Sequence, residues 1–471
     1  MRPAAASGTR HKIDIAIMSL ISSLFNPLLR RSFSSSPHAL LNPTICATCN
    51  GQALLYRSRN PRAPPSRCPT CSATGLISAP KQASPTQATT PIPNFPSIAI
   101  IGAGISGLAF SVALSHRNIA HHVFDSDPNH THRHQGYSLT LQHSRAPSEL
   151  NLTLPKQLST RHVVLDPDGD QIAAWGRSLT TDLPPPTQKH NFHLSRTSLR
   201  ASLLTQTSPA NISWGKTFHS CTVNDDSSLI TLNFADATSH TANLLVGADG
   251  VHSVVRSYTQ SPELHPLTTC NVTCALGIFT PPADGPLHHL LDHETVVQIA
   301  DGHTSRLYLQ PYNETQYMWQ FSYRDEPFTA KQTPSQILDN VCEKSKTWLN
   351  EGLAPLLSNT SHSLVSSYSL VDRTLPPHFR TAGNELVTLL GDAAHPMTPF
   401  KGWGANSALA DGLGLARAIH TAGGVGEHVL EKFERIMIKR VEGKVKSSRE
   451  AVDKLHGAKV LTKSNVTRGS L

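Results

Sequence analysis

Apolar and polar positions follow three different rhythms along this chain, and the order of the rhythms predicts its architecture. Ser97–Ile101 is a short continuous apolar run, as expected of a buried parallel strand. Ile105–His116 then repeats at helical spacing, with Leu108, Ala109, Val112 and Ala113 on one face, and His122–Phe124 is a second short strand; together they make a βαβ unit. Arg196–Thr205 reads as a helix with Leu199, Leu203 and Leu204 inward. Ile230–Phe234 alternates with period two, and Leu244–Val246 ends in a glycine turn. From about Thr268 to Tyr323 the rhythm is that of strands, with Val296–Ile299, Arg306–Leu309 and Tyr317–Phe321 separated by turn residues. Beyond Thr333 helical spacing returns through Ile337, Val341 and Trp348. A last strand, Leu386–Leu390, precedes two long helices, Gly404–Thr421 and Val429–Leu455. The expected fold class is α/β, a strand–helix half interrupted by an inserted sheet and then resumed.

Composition locates a removable segment. Of the formal charge of +8, residues 1–96 contribute ten Lys or Arg against the single acid Asp14, so residues 97–471 are close to neutral. The basicity therefore gives no reason to expect nucleic acid as a partner. No apolar run reaches the ~18–20 residues needed to cross a bilayer, and Ile13–Leu29 is broken by Asp14, Asn26 and Pro27. The Arg- and Ser-rich, acid-poor start has the composition of an organelle transit peptide over residues 1–33, with Arg31-Ser32-Phe33 as a processing site and Met18 as an alternative start. A mitochondrion is favoured over a plastid; a disordered cytosolic tail is the alternative. Residues 34–78 hold four cysteines, and the Pro/Thr/Ser/Gln stretch 79–96 reads as a linker.

Three glycine-centred clusters carry the candidate chemistry. Gly102-Ala103-Gly104-Ile105-Ser106-Gly107 follows the first strand and opens the first helix. Gly102 allows the tight turn, Gly104 lets the backbone approach a pyrophosphate, and Gly107 permits close helix–strand packing. Free N–H groups and the helix dipole stabilise phosphate charge. Asp125 ends the second strand, where an acid accepts the hydroxyls of an adenosine ribose. Alone, the cluster also fits a glycine-rich turn in another α/β protein. The second cluster is Gly247-Ala248-Asp249-Gly250, and the third is Gly391-Asp392-Ala393-Ala394-His395-Pro396.

With the three clusters in this order, the chain resembles the FAD-dependent aromatic hydroxylase-like monooxygenases, the single-component (group A) flavoproteins, over about residues 97–455. The resemblance implies an FAD-binding Rossmann-like domain (97–267 and 381–425), an inserted mixed β-sheet substrate domain (268–380), and a C-terminal helix and tail (426–471). It implies cofactor contacts from Gly102, Gly104, Ser106, Gly107, Asp125 and Arg196. Asp249 would lie near the pyrophosphate and a path used by NADPH, with Arg256 alongside, and Gly391 and Asp392 at the ribitol. Gly402, Gly404, Ala405 and Asn406 would line the isoalloxazine edge, where helix N–H groups suit the negative charge of reduced flavin. Trp403 departs from the family pattern: it covers the ring, narrows the pocket, or simply packs. The implied reaction has NAD(P)H reduce FAD and O2 add as a flavin C4a-hydroperoxide, whose distal oxygen passes to a small aromatic or polyketide-like substrate. No side-chain nucleophile is required.

The substrate side is read from alternation, which puts Arg306, Tyr308 and Gln310 on one face, with Gln298 and Gln320 projecting from neighbouring strands. Gly136–Leu141 resembles the early strand that passes near the flavin in relatives. His121, His122, His130, His132 and His134 are irregularly spaced and read as solvated rather than metal-binding; His395 is expected to hold its turn. Cys46-x2-Cys49 and Cys68-x2-Cys71 suit tetrahedral Zn2+, and also resemble half of a DnaJ-type zinc module; free or redox-active thiols are the alternative. Two further readings stay open at this point. One is another FAD-dependent oxidoreductase, an oxidase or dehydrogenase. The other is a non-enzymatic flavin- and zinc-binding interaction protein.

Overall fold

The computed structural model describes residues 43–55, 66–78, 97–132, 137–142, 146–154, 157–158, 160–176, 191–224, 229–259, 263–325, 332–379 and 385–461. The proposed leader 1–33, the linker 79–96, His134, Gly136 and the tail from Thr462 lie outside them. All described residues belong to one compact unit, Leu40–Leu471.

β1 (Ile98–Ile101), α1 (Ile105–Ser115) and β2 (His121–Asp125) form the expected βαβ start. β3 (Ser138–Leu141), β4 (Arg161–Leu165), β5 (Gln171–Gly176) and β6 (Phe192–Ser195) follow, then α2 (Arg196–Leu204), β7 (Ile212–Trp214) and β8 (Leu244–Gly247). The next strands are β9 (Thr268–Phe279), β10 (Thr295–Ala300), β11 (Ser305–Pro311) and β12 (Tyr317–Arg324). They lead into α3 (Pro334–Lys344), α4 (Leu353–Ser358) and β13 (Ser366–Asp372). β14 (Val387–Leu389) and the helices α5 (Gly404–Ala422) and α6 (Glu427–Leu455) complete the chain.

Five strands form a parallel sheet in the order β7-β2-β1-β8-β14. β1 and β8 are buried along their whole length, as continuous apolar runs require. α1 departs from the one-faced helix expected from its spacing: every residue from Ser106 to Leu114 is buried. The cause is α5, which crosses so closely that a Cβ on Gly412 would lie 2.6 Å from the Phe110 amide nitrogen.

The inserted sheet has seven strands in the order β5-β4-β10-β11-β12-β9-β13, antiparallel except for the parallel pair β4–β10. It is therefore mixed. Residues 161–176, placed by the sequence in the first part of the FAD domain, supply β4 and β5, so the sheet is built from two excursions of the chain rather than from 268–380 alone. Its two faces differ sharply. One face carries Val297, Ile299, Leu307, Leu309, Trp319 and Phe321, which bury against Ile337, Val341, Leu353 and Leu357 of α3 and α4. A Cβ on Gly277 would sit 2.5 Å from the Trp319 ring, and the indole N–H donates to Thr360 Oγ1 at 2.8 Å.

α6 straps the two sheets together. Thr388 Oγ1 in β14 donates to Glu434 Oε1 (2.7 Å), and Arg449 donates to both carboxylate oxygens of Asp372 in β13 (2.6 and 2.7 Å). Just past its end, His456 meets Ser322 Oγ in β12 at 2.8 Å. Because the α1–α5 crossing has no spare volume, Gly412→Ala should destabilise by about 1–3 kcal/mol in chemical denaturation. Gly424→Ala, whose Cβ meets nothing within 4 Å, should be close to neutral by the same measurement.

Candidate active site

Adjacent parallel strands bring the three glycine clusters side by side. β1, β8 and β14 are neighbours, with Gly247 in register with Ile101 and Leu389, so Gly102, Gly247 and Gly391 all mark the carboxyl edge of one sheet. Ligands of open α/β sheets bind at this edge. The turns also touch. A Cβ on Gly102 (φ +106°) would lie 2.4 Å from the Ala248 carbonyl oxygen, and one on Gly391 (φ +59°) would lie 2.7 Å from Ser106 Oγ.

Around this edge the charged side chains hold the backbone. Asp125 accepts the Ala103 N–H at 2.6 Å and the Asp127 N–H at 2.8 Å, and Arg200 Nε donates to the Ala103 carbonyl at 2.9 Å. Asp249, expected near a pyrophosphate, accepts from Ser253 Oγ (2.5 Å) and the N–H groups of Val254 and Val255 (2.8 and 3.2 Å). Its carboxylate thus caps the turn that follows; burial pushes its pKa up against those bonds. Arg256 donates to the carbonyls of Ala393 and Ala394, both at 2.9 Å, and so ties the second cluster to the third. Burial lowers this guanidinium to about 10.

Asp392 is exposed between buried Gly391 and Ala393. Its carboxyl is raised by the crowding of protein around it, while His395 and Arg196 pull it down, as fits an acid at the floor of an open cleft. Behind it, Asp411 of α5 is fully buried. Asp411 accepts the Gly391 N–H (2.9 Å), His395 Nε2 (2.7 Å) and Arg440. Burial alone would raise this carboxyl; His395, Arg440 and the amide hold it below the usual range. His395 therefore holds the turn, as expected of it.

Two helices begin beside the glycine clusters. Ser195 caps α2, and Thr333 with Gln336 caps α3 in a reciprocal box; α1 and α5, like α4 and α6, begin without any side-chain cap, and α1 and α5 follow the glycine clusters. The helical ladder of α5 starts at Ser407 N–H to Trp403 O, which leaves the N–H groups of Gly404, Ala405 and Asn406 without an intrahelical partner. A Cβ on Gly104 has no neighbour nearer than 4.0 Å, and one on Gly404 has none within 4 Å. Two uncapped helix N-termini and one exposed acid along a single sheet edge fit FAD: donors for its pyrophosphate and flavin edge, an acceptor for its ribitol.

The side chains of Asn406, expected at the cofactor, and Trp403, a candidate for the substrate pocket, both make contacts within the protein. The Asn406 amide donates to the carbonyls of Thr140 (2.9 Å) and Gly402 (2.7 Å) and accepts from Gln142 N–H (3.0 Å), stapling β3 to the start of α5. Trp403 packs under Lys444 of α6, whose Nζ lies 4.7 Å from a ring centroid.

The second face of the inserted sheet is polar where it meets β3. Gln298, Tyr308 and Gln320 are directly paired across β10, β11 and β12, and Leu276 continues the row. Buried Arg306 donates to Gln298 Oε1 at 2.8 Å and lies between the rings of Tyr308 and Phe400, at 5.1 and 5.8 Å. Burial lowers it to about 10 and raises the Tyr308 phenol to about 12. Arg306 Nε and Gln310 Nε2 are buried without a hydrogen-bond partner. Thr140 lies near enough to the Tyr308 phenol to oppose that rise, and the Thr140 hydroxyl meets His193 Nδ1 at 3.2 Å. Leu276, Ile278, Met318, Tyr137 and Tyr368 form the apolar end of this face.

Sequence reasoning missed Asp411, Arg200 and His193, while Thr140 lay in the Gly136–Leu141 strand expected near the flavin. Asp411 left a signal, an acid inside the otherwise small and apolar stretch Ala408–Ala416; Arg200 and His193 left none. Of the histidines, His121 bonds Ser111 and the Ile119 carbonyl, and His122 bonds Ser213, while His130 and His132 are exposed. Among the described residues, only the four N-terminal cysteines gather as a metal-binding set.

The family described as FAD binding domain matches residues 180–443, more than half of the chain. The chain is 27% identical over 398 residues to a probable FAD-dependent monooxygenase of Arthroderma benhamiae, covering 76% of this chain and 91% of that protein. It is 26% identical over 382 residues to the 3-amino-4-hydroxybenzoate 2-monooxygenase PtmB3 of Streptomyces platensis, covering 77% and 89%. Its fold is similar to that of Klebsiella pneumoniae HpxO complexed with FAD and uric acid, with TM-score 0.66 at 20% identity over 78% of this chain and 91% of that one. The 2,6-dihydroxypyridine-3-hydroxylase from Arthrobacter nicotinovorans gives TM-score 0.65 at 16% identity, covering 79% and 96%. Purified protein should be yellow with one FAD per chain. Asp392→Ala should weaken FAD binding by about 1.5–3 kcal/mol, the worth of a hydrogen bond to a charged group, as read by flavin fluorescence on dilution.

Proposed function

The chain belongs to the FAD binding domain family and is an FAD-dependent monooxygenase, and from that premise we propose that it uses NAD(P)H and O2 to hydroxylate a small aromatic or polyketide-like molecule. The observation that carries this reading is the polar row Gln298–Tyr308–Gln320, near Thr140, whose carbonyl accepts from Asn406 at the start of α5. Bound FAD supplies the redox chemistry: two electrons from NAD(P)H and one oxygen atom passed to the substrate, the other leaving as water.

The protein's own groups do the positioning. The N–H groups of Gly404, Ala405 and Asn406 stabilise anionic charge at the end of α5. Asn406 fixes that end against the end of β3 through two hydrogen bonds, with Thr140 and Gln142, and a third to Gly402 closes its own turn, so that the donors are preorganised. Gln298, Tyr308 and Gln320 offer donors and acceptors in one plane for the polar substituents of a flat substrate, and Arg306 adds a buried positive charge beside them. Leu276, Ile278 and Met318 keep water from one end of the face. The Streptomyces relative is named for a substituted benzoate, which supports an aromatic substrate here. The composition of residues 1–33 supports delivery to an organelle, a mitochondrion before a plastid.

A screen of phenolic and aminobenzoate compounds should find one that speeds flavin reduction by NADH or NADPH, and under labelled O2 its product should carry one labelled atom. Gln320→Ala should raise KM for that compound about 5–10-fold, the loss of one net hydrogen bond, with FAD content unchanged. Hydrogen peroxide formed in step with NAD(P)H, and no labelled product with any compound, would contradict the reading.

A further inference from the structure

Residues 43–55 and 66–78 are the part of the molecule that the flavin chemistry does not use, and they are built around sulfur. Cys46, Cys49, Cys68 and Cys71 are all buried, and their Sγ atoms lie within 4.8 Å of one another. Cys46 and Cys68 are 3.9 Å apart and Cys49 and Cys71 3.7 Å. Four thiolates at the usual 2.3 Å from a tetrahedral Zn2+ would be about 3.8 Å apart. A disulfide would need about 2.05 Å.

The backbone around the sulfurs is the same turn made twice. Gly51 N–H donates to Cys46 O (3.1 Å) and Gln52 N–H to Cys49 O (2.9 Å). In the second copy Ala73 N–H donates to Cys68 O (3.0 Å) and Thr74 N–H to Cys71 O (2.9 Å). Each copy turns through left-handed backbone, at Asn50, Gly51 and Ala53 in one and at Ser72, Ala73 and Gly75 in the other. The copies close on each other reciprocally, Cys46 N–H to Gly75 O (2.8 Å) and Cys68 N–H to Ala53 O (3.1 Å). Gly75 N–H also points at Cys71 Sγ at 3.2 Å, a bond that stabilises a thiolate. Besides the cysteines, the buried hydrophobic side chains among the described residues of these segments are Ala53, Ala73 and Leu76. Three such side chains cannot offset the ordering of two loops, so the fold needs a cross-link at its centre.

The paired turns are seated on the flavin domain. Gln52 Nε2 donates to Thr421 Oγ1 at 2.7 Å, and Asn50 Oδ1 meets His420 Nε2 at 3.2 Å, both on the last turn of α5. Gly51 lies so near Arg117 that a Cβ there would be 3.3 Å from the guanidinium. The first copy therefore sits on the end of α5 opposite the one that faces the cofactor cleft.

We propose that Cys46, Cys49, Cys68 and Cys71 bind one Zn2+ ion through four thiolates, and that the ion holds the paired turns against the C-terminal turn of α5. Zinc is chosen over iron because a divalent thiolate site binds Zn2+ more tightly than Fe2+.

The test uses the full-length protein with FAD bound. Elemental analysis should give one zinc per chain, released in step with four thiols when a mercurial reagent is titrated in. The Cys68→Ser/Cys71→Ser double variant should lose the zinc while keeping one FAD per chain, and Cys221→Ser should keep both. Hydrogen exchange after zinc release should quicken ~100-fold in residues 46–53 and 68–76, and measurably in residues 418–423. No zinc, iron in its place, or mass mapping that finds these cysteines as disulfides would overturn the metal assignment. Unchanged exchange in residues 418–423 would overturn the seating on α5.

Discussion

The Asp411 carboxylate is the constraint on which the cofactor cleft depends. A buried anion is costly unless every oxygen is paired, and here the pairing is what joins separate parts of the chain. The Gly391 amide and His395 come from the turn after β14, Arg440 comes from α6, and Asp411 itself lies on α5. One side chain thereby fixes the turn that presents Asp392 and the helix whose N-terminus presents three free N–H groups. Removing it would leave Arg440 and the Gly391 amide without their acceptor, so the cost would fall on both.

From that anchor the second sheet is oriented by α6. The helix carries Glu434 against the parallel sheet and Arg449 against the inserted one, and His456 follows beyond its end. The inserted sheet can then keep one apolar face for α3 and α4 and turn the other, with its glutamines, tyrosine and arginine, toward β3. On that face Arg306 pairs with Gln298, while Arg306 Nε and Gln310 Nε2 are buried without a hydrogen-bond partner. Asn406 and Thr140 make the join between the two halves.

Much of this arrangement was legible in the sequence, for a physical reason. Tight turns at strand ends need glycine at positive φ or at close approach, and Gly102 and Gly391 are such positions, so the clusters show in the residues themselves. The period-two pattern of β11 placed Arg306, Tyr308 and Gln310 on one face, and the cross-strand register brought Gln298 and Gln320 to the same face. What could not be read was which distant element completes each surface. α1 looks one-faced because its second partner, α5, lies some three hundred residues along the chain. β4, with Val163, Val164 and Leu165, was not anticipated, and nothing local to it says that it joins the inserted sheet. Asn406 and Asp249 were assigned to the cofactor by motif, whereas their hydrogen bonds brace the turns that meet it.

The most direct test of this account is a structure determined with FAD bound. The account predicts the ribitol within ~2.6–3.2 Å of the Asp392 carboxylate and the flavin edge at the N–H groups of Gly404 and Ala405. It also predicts that the ring faces the Gln298–Tyr308–Gln320 row. A flavin bound away from the carboxyl edge of β1, β8 and β14, or with its ring turned from that row, would contradict it.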